Sequence, residues 1–281
     1  TSVQGNSAGN GQLHGVFAPT ISGSTVFAAS SGHSDTALHA FNLQTGQLRW
    51  RAPFYTQWPQ LLAPTAFGGR VFVGGSDEGP IVAFDALVGT KLWSGGSTTG
   101  YDRHAVAVTG DTAYSFTGGD ISVLSSVDVS TGATRFTINE PQSSWSGYSM
   151  DGAPIVGSGS QIFARTYSPG HIVAFDTSNR SVAWRSAPGF VGQPAYRQGV
   201  VYGQNSSTGQ LVALDAASGS TLWTWAAPGS FQTCANVIVT DTHAFVSTSA
   251  GTHAVNLTTR QSEWSAPEFG SIALTGGRTL L

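Results

Sequence analysis

The chain has 281 residues with 12 basic and 15 acidic side chains, a net charge of −3, charged residues at only 10% and 36 glycines. With Lys91 as its one lysine, it has no basic footprint for nucleic acid and no support for an anionic membrane surface, and its composition excludes long solvated helices. No apolar run nears the roughly 20 residues of a transmembrane helix, Thr1 onward lacks a basic-then-apolar leader pattern, and a lone Cys234 excludes an intrachain disulfide or a thiolate zinc framework.

From about residue 16 two phrases alternate along the chain. The first is Ala63-Pro64-Thr65-Ala66-Phe67-Gly68-Gly69-Arg70-Val71-Phe72 in its second copy, with relatives starting at Ala18-Pro19, Ala105-Val106, Ala153-Pro154, Gln193-Pro194 and Ala235-Asn236. The second is Ile81-Val82-Ala83-Phe84-Asp85-Ala86-Leu87-Val88-Gly89-Thr90-Lys91-Leu92-Trp93, alternating apolar residues that enter a tight turn and leave in a second extended run, which predicts a hairpin. Its copies end at Trp50, Trp93, Phe136, Trp184, Trp223 and Trp264, spaced 39 to 48 residues apart, the length of one four-stranded propeller blade.

Each fixed residue of the hairpin has a physical task. The acid (Asp85, Asp128, Asp176, Asp215, with Asn42 and Asn256 as substitutes) is expected to accept backbone N–H bonds inside the turn. Gly46, Gly89, Gly132 and Gly219 supply a positive φ, and the terminal ring wedges between neighbouring blades. Arg180 and Arg260 replace glycine, so those two turns are expected to use another geometry.

A degenerate seventh copy of the first phrase, Ser271 to Leu280, ends the chain with no second phrase after it. The expected fold is all-β: a single propeller domain over residues 1–281, with seven four-stranded blades and six or eight as alternatives. Strands from both ends close the ring, with the segment containing Gly11-Gln12-Leu13-His14 completing the last blade.

Binding residues are expected in the loops from each outer strand to the next inner strand. In chain order these hold Tyr55, Gln57 and Trp58; Tyr101, Asp102, Arg103 and His104; Trp145, Tyr148, Met150 and Asp151; Phe190 and Gln193; Phe231, Gln232 and Cys234; and Glu268 with Phe269. Trp58 and Trp145 fall outside the structural Trp position. The ligand set read from these loops is Trp58, Gln57, Tyr101, Arg103, His104, Trp145, Tyr148, Asp151, Gln193, Phe231 and Cys234, edging a central funnel that takes a small molecule, a glycan or a protein segment. The alternative is that these rings fold down as packing residues.

Repeat alignment sets Arg103 level with Asp151 and His104 level with Cys234. Asp102, Arg103, His104 and Asp151 are the acid–base groups if the funnel is catalytic, while an Asp102–Arg103 surface pair is the bland alternative. His33, Asp35, Asp77 and Glu78 read as solvated loop charges, and no metal is expected. No nucleophile elbow, zinc-protease helix or phosphate loop occurs in the sequence.

The two phrases together resemble the pyrroloquinoline-quinone-type propeller repeat over nearly the whole chain. The resemblance implies quinone-dependent alcohol and glucose dehydrogenases at one extreme. At the other it implies non-catalytic modules, such as the propeller lipoprotein of outer-membrane assembly and the sensor domains of receptor kinases. The dehydrogenases of that family carry an adjacent cysteine pair and a calcium site of Glu, Asn and Asp. The single cysteine here forbids the first, and no calcium triad maps onto this sequence. The expectation is therefore a monomeric, non-catalytic binding module, secreted or periplasmic, without a cofactor. Quinone with calcium, or a lyase or cyclising chemistry, is the catalytic alternative.

Overall fold

The computed structural model describes residues 15–16, 19–31, 36–55, 63–76, 79–96, 103–117, 121–143, 150–151, 153–166, 169–231, 236–275 and 279–280. Every regular element among them is a strand. The chain forms two compact units, Thr1–Pro154 and Ile155–Leu281.

The first unit holds three antiparallel sheets in simple up-and-down order. Sheet one is Thr20–Ser22, Thr25–Ser31, Ala37–Asn42 and Leu48–Pro53, with a short fifth strand, Gly15–Val16, against Ser30 and Ser31. Sheet two is Thr65–Phe67, Arg70–Ser76, Gly79–Asp85 and Lys91–Gly95. Sheet three is Ala107–Thr109, Thr112–Thr117, Ser122–Asp128 and Thr134–Glu140.

The second unit repeats the pattern three times. Its sheets are Ile155–Val156, Gln161–Arg165, Ile172–Asp176 and Ser181–Arg185; Phe190–Arg197, Val200–Asn205, Gln210–Asp215 and Thr221–Ala226; and Ile238–Val239, His243–Thr248, Gly251–Asn256 and Ser262–Ala266. Second and third strands are the most buried in each sheet, because apolar side chains leave both of their faces.

These six sheets are the blades expected from the repeats. Of the seventh, the described residues show one antiparallel bridge, Leu274 to Leu280, with the Thr275 N–H donating to the Thr279 carbonyl at 2.9 Å. Residues 11–14, expected to complete that blade, lie outside the described residues. Gly15–Val16 instead extends the first strand of sheet one.

The turn between third and fourth strands explains the repeated phrase. Asp85 Oδ1 accepts the Leu87 and Val88 N–H groups at 2.8 and 3.0 Å, and Asn42, Asp128, Asp215 and Asn256 make the same pair of bonds. The residue four positions on closes the turn by donating to the acid's carbonyl, as Gly89 does to Asp85 at 2.9 Å. That residue has a positive φ: 67° at Gly46, 75° at Gly89, 73° at Gly132 and 73° at Gly219.

Arg180 and Arg260 depart from expectation. They keep the same left-handed geometry, at φ 52° and 59°, and the Arg260 N–H still bonds the Asn256 carbonyl at 2.8 Å. The Asx side chain fixes the turn whichever residue follows, so the side chain at this position adapts at the cost of left-handed strain.

One residue is also inserted into each fourth strand just before the ring, seen as a register shift in all six outer pairs, such as Ala40 opposite Trp50 but Phe41 opposite Leu48. Such a bulge sharpens the local twist and re-aims the side chain after it.

That side chain joins one blade to the next. The Trp50 indole donates to the Ala86 carbonyl at 3.2 Å, Trp93 to Val129 at 3.0 Å and Trp184 to Ala216 at 3.0 Å. Each acceptor follows the Asx of the neighbouring turn. The turn glycine lies flat against the same ring, and a Cβ there would come within 2.6 Å of Trp50 at Gly89, 2.5 Å of Trp93 at Gly132 and 2.6 Å of Trp184 at Gly219. Glycine thus serves two ends at once, a positive φ and a platform for the preceding indole.

Candidate functional site

Strand order puts the two short turns of a blade at one end and the longer loops at the other. The loop ends carry the candidate residues of the sequence. Gln57, Trp58, Tyr101, Asp102, Trp145, Tyr148 and Cys234 lie outside the described residues. Arg103, His104, Met150 and Asp151 are described as backbone.

Those four form a parallel two-stranded element, the one among the described residues of the first unit, with Arg103 beside Met150 and His104 beside Asp151. Repeat alignment had set Arg103 level with Asp151; the two strands instead pair with a one-residue stagger. The acid–base candidates His104 and Asp151 are therefore partners in register.

In the second unit an equivalent stitch joins Gln193 and Asn236, again parallel, with the Val237 N–H donating to the Gln193 carbonyl at 2.9 Å. Asn236 extends it: its side chain donates to the Ile272 carbonyl and accepts the Ile272 N–H, both at 2.9 Å. The Gln204 side chain donates to the Asn236 carbonyl at 3.2 Å. In the first unit Thr20 Oγ1 donates to the Pro64 carbonyl and Thr65 Oγ1 to the Val106 carbonyl, the latter at 2.5 Å. First strands of successive blades are thus fastened side by side. Gln193 belongs to this framework.

Phe231 sits in the core. It is 7% exposed, packs with Tyr202, Leu211, Trp225 and Val246, and bridges Thr248. Behind it Thr248 Oγ1 donates to the Pro228 carbonyl at 2.6 Å and approaches His253 Nε2 at 3.3 Å, with the His253 ring 5.6 Å from Trp225. Burial lowers the pKa of this imidazole, so it favours the neutral form. Nothing in the sequence marks this polar group beside Trp225, because a lone histidine on a third strand reads as an ordinary strand residue.

Charge concentrates at the turn ends. Arg135 reaches Asp111 at 2.8 Å and Asp128 at 2.6 Å. Its guanidinium and the N–H groups of Ser130 and Thr131 hold the Asp128 carboxyl down at about 2. Glu263 accepts from Asn256 and meets His243 Nε2 at 2.6 Å, and that imidazole is the main cause of its lowered pKa. His243 also meets Thr242 Oγ1 at 2.8 Å through Nδ1.

Among the described residues no three His, Cys, Asp or Glu side chains cluster as metal ligands, and the four loop charges His33, Asp35, Asp77 and Glu78 lie outside them. The chain's single cysteine cannot form the adjacent cysteine pair that the resemblance implies for the dehydrogenases. No helix among the described residues is long and apolar enough to cross a membrane.

Comparison with known proteins agrees with this architecture. The family model of outer membrane protein assembly factor BamB matches residues 4–225. BamB of Moraxella catarrhalis is 21% identical, with a TM-score of 0.66 over 89% of this chain and 75% of that one. The quinohemoprotein alcohol dehydrogenase ADHIIG of Pseudomonas putida HK5 is 11% identical, with a TM-score of 0.67 over 94% of this chain and 62% of that one. The WD40 β-propeller domain of Doa1 is 12% identical, with a TM-score of 0.65 over 99% and 91%. At these identities the likeness establishes the β-propeller fold. No curated protein matches the chain by sequence.

Proposed function

This chain belongs to the family of outer membrane protein assembly factor BamB, and from that premise we propose that it is a non-catalytic, protein-binding β-propeller module. It works outside the cytoplasm, as a monomer and without a resident cofactor. The observation that carries the reading is the family match across most of the blades. The fold supports it physically: rigid blades fastened by indoles and amides present variable loops at one end, the usual arrangement for recognition.

The loops of the first unit are the contact region, with Trp58 and Trp145 as anchoring rings and Arg103 and His104 as polar contacts. Rings of this type dominate protein interfaces because they bury a large area with few rotatable bonds. The ligand is a protein segment that packs on these rings.

Anisotropy of a labelled aromatic-rich peptide tests the reading against Trp58→Ala and Trp145→Ala. Each should weaken binding by at least about tenfold with the melting temperature nearly unchanged. Unaltered affinity, or unfolding of both variants, contradicts it.

The pairing of His104 with Asp151 favours one second reading, an acid–base enzyme of the lyase or cyclising type at the same loops. A substrate screen of wild type against His104→Ala separates the two. Turnover lost in the variant selects the enzyme.

A further inference from the structure

Equivalent positions in the six blades show what a seam between blades needs. Three positions before each turn Asx, the third strand carries Val82, Val173 and Val212 in blades two, four and five, and Ser125 in blade three. Blades one and six carry His39 and His253 there. Valine fills the place three times, so packing alone does not call for an imidazole. His253 nevertheless lies 5% exposed in the seam between blades five and six, within the second unit, with the Trp225 ring of blade five 5.6 Å away.

The surrounding hydrogen bonds assign its tautomer. Thr248 Oγ1 stands 2.6 Å from the Pro228 carbonyl oxygen, a separation that requires the hydroxyl proton to lie between them. The same oxygen accepts the Ala250 N–H at 3.1 Å, so at 3.3 Å it also accepts from His253, and Nε2 carries the proton. Nδ1 keeps the lone pair and is the atom that takes up a second proton.

Among the described residues no countercharge meets that proton. Blade five turns Tyr202, Leu211 and Trp225 toward the seam, and burial raises the pKa of the Tyr202 phenol, which stays neutral throughout the acid range. Gln204, on the same face as Tyr202, donates its amide to the Asn236 carbonyl. On blade six the fourth-strand acid Glu263 is held at the turn end by His243 and Asn256. Glu268 lies past that strand, its carbonyl bonded by Thr252, whose side chain leaves the opposite face from His253. Segment 228–231 carries no charge. A cation at His253 would meet the Trp225 ring and no described carboxylate, and burial lowers the pKa of the imidazole accordingly.

Segment 228–231 closes the seam at its loop end. Thr248 Oγ1 holds the Pro228 carbonyl, Ser230 and Ser249 exchange bonds at 2.9 and 3.0 Å, and Phe231 bridges Thr248 before its ring enters the core. We propose that this seam is an acid-sensitive latch: a second proton on His253 draws water to Nδ1, parts segment 228–231 from Thr248, and exposes Phe231 at the loop end of the second unit. The open form binds the proton with ordinary affinity, at about pH 6.5, and the closed form binds it more weakly. Closure is therefore fully favoured above that pH and is lost as the pH falls below it. The latch uses none of the first-unit loops of the proposed binding function, so either can fail without the other.

The test is amide hydrogen exchange of the whole chain from about pH 7.5 down to about pH 5, corrected for the intrinsic pH dependence of exchange. The reporters are Ser230 and Ser249, whose N–H groups bond across the latch. The reference is Phe190, whose N–H bonds the Gly170 carbonyl at 2.8 Å in the seam between blades four and five. In wild type, protection of both reporters should fall by up to about tenfold per pH unit below about 6.5 while Phe190 holds. It should stay level in His253→Val, which installs the residue of blades two, four and five, and in His253→Gln, which keeps a donor toward Thr248. Unchanged protection in wild type, an equal fall in either variant, or a parallel fall at Phe190 overturns the proposal. So does protection that rises with acid, which assigns the Trp225 ring as a partner that stabilises the cation.

Discussion

Trp93 and Trp264 occupy the same position in their repeats, follow the same bulge and pack against the same kind of neighbour, Phe72 and Phe245, at 5.8 and 5.9 Å. Trp93 is 9% exposed and Trp264 is 44% exposed. The difference lies in the neighbour. Trp93 has the Val129 carbonyl and the bare face of Gly132 from the next blade against it, whereas Trp264 belongs to the last complete blade among the described residues. A blade therefore does not bury its own ring. Burial is a property of the pair, as expected of an architecture stabilised by nearest-neighbour interfaces.

The largest effect should come from breaking that pair. Trp93→Ala is expected to cost about 3–5 kcal/mol by chemical denaturation, and Trp264→Ala no more than about 1 kcal/mol. Equal costs would place the energy inside the blade. A smaller effect should come from the turns themselves. Asp128 titrates near 2 when folded, below its unfolded value of about 3.9. Its contribution is therefore present above pH 4 and lost as the pH falls toward 2. Arg135→Met should flatten that part of the acid-denaturation curve and lower stability at neutral pH by the same small amount, small because water screens the pair.

How much of this was legible in the sequence follows from how local each feature is. The hairpins, the Asx bonds and the blade spacing rest on residues close in the chain, so alternation and turn chemistry disclose them. The double duty of Gly132 was half visible: its positive φ is a local need, while its contact with Trp93 joins residues 39 positions apart. Arg180 and Arg260 misled for the opposite reason, since glycine signals a left-handed turn but its absence does not exclude one. At the candidate site, Phe231 read as an exposed loop aromatic because residue type alone does not distinguish a ring that binds from a ring that packs. The stagger that sets His104 beside Asp151 comes from parallel pairing between blades, which repeat alignment does not encode.

The most direct test of the central claim, that the Trp50, Trp93 and Trp184 indoles are each sealed by the glycine of the following turn, is the stability cost of Gly132→Ala measured with and without Trp93. With Trp93 present the new methyl group meets the ring, and the cost should combine left-handed strain of about 1–2 kcal/mol with overpacking of about 1–3 kcal/mol. In a Trp93→Ala background only the strain should remain. The same cost in both backgrounds would show that ring and glycine act independently, and would contradict the account.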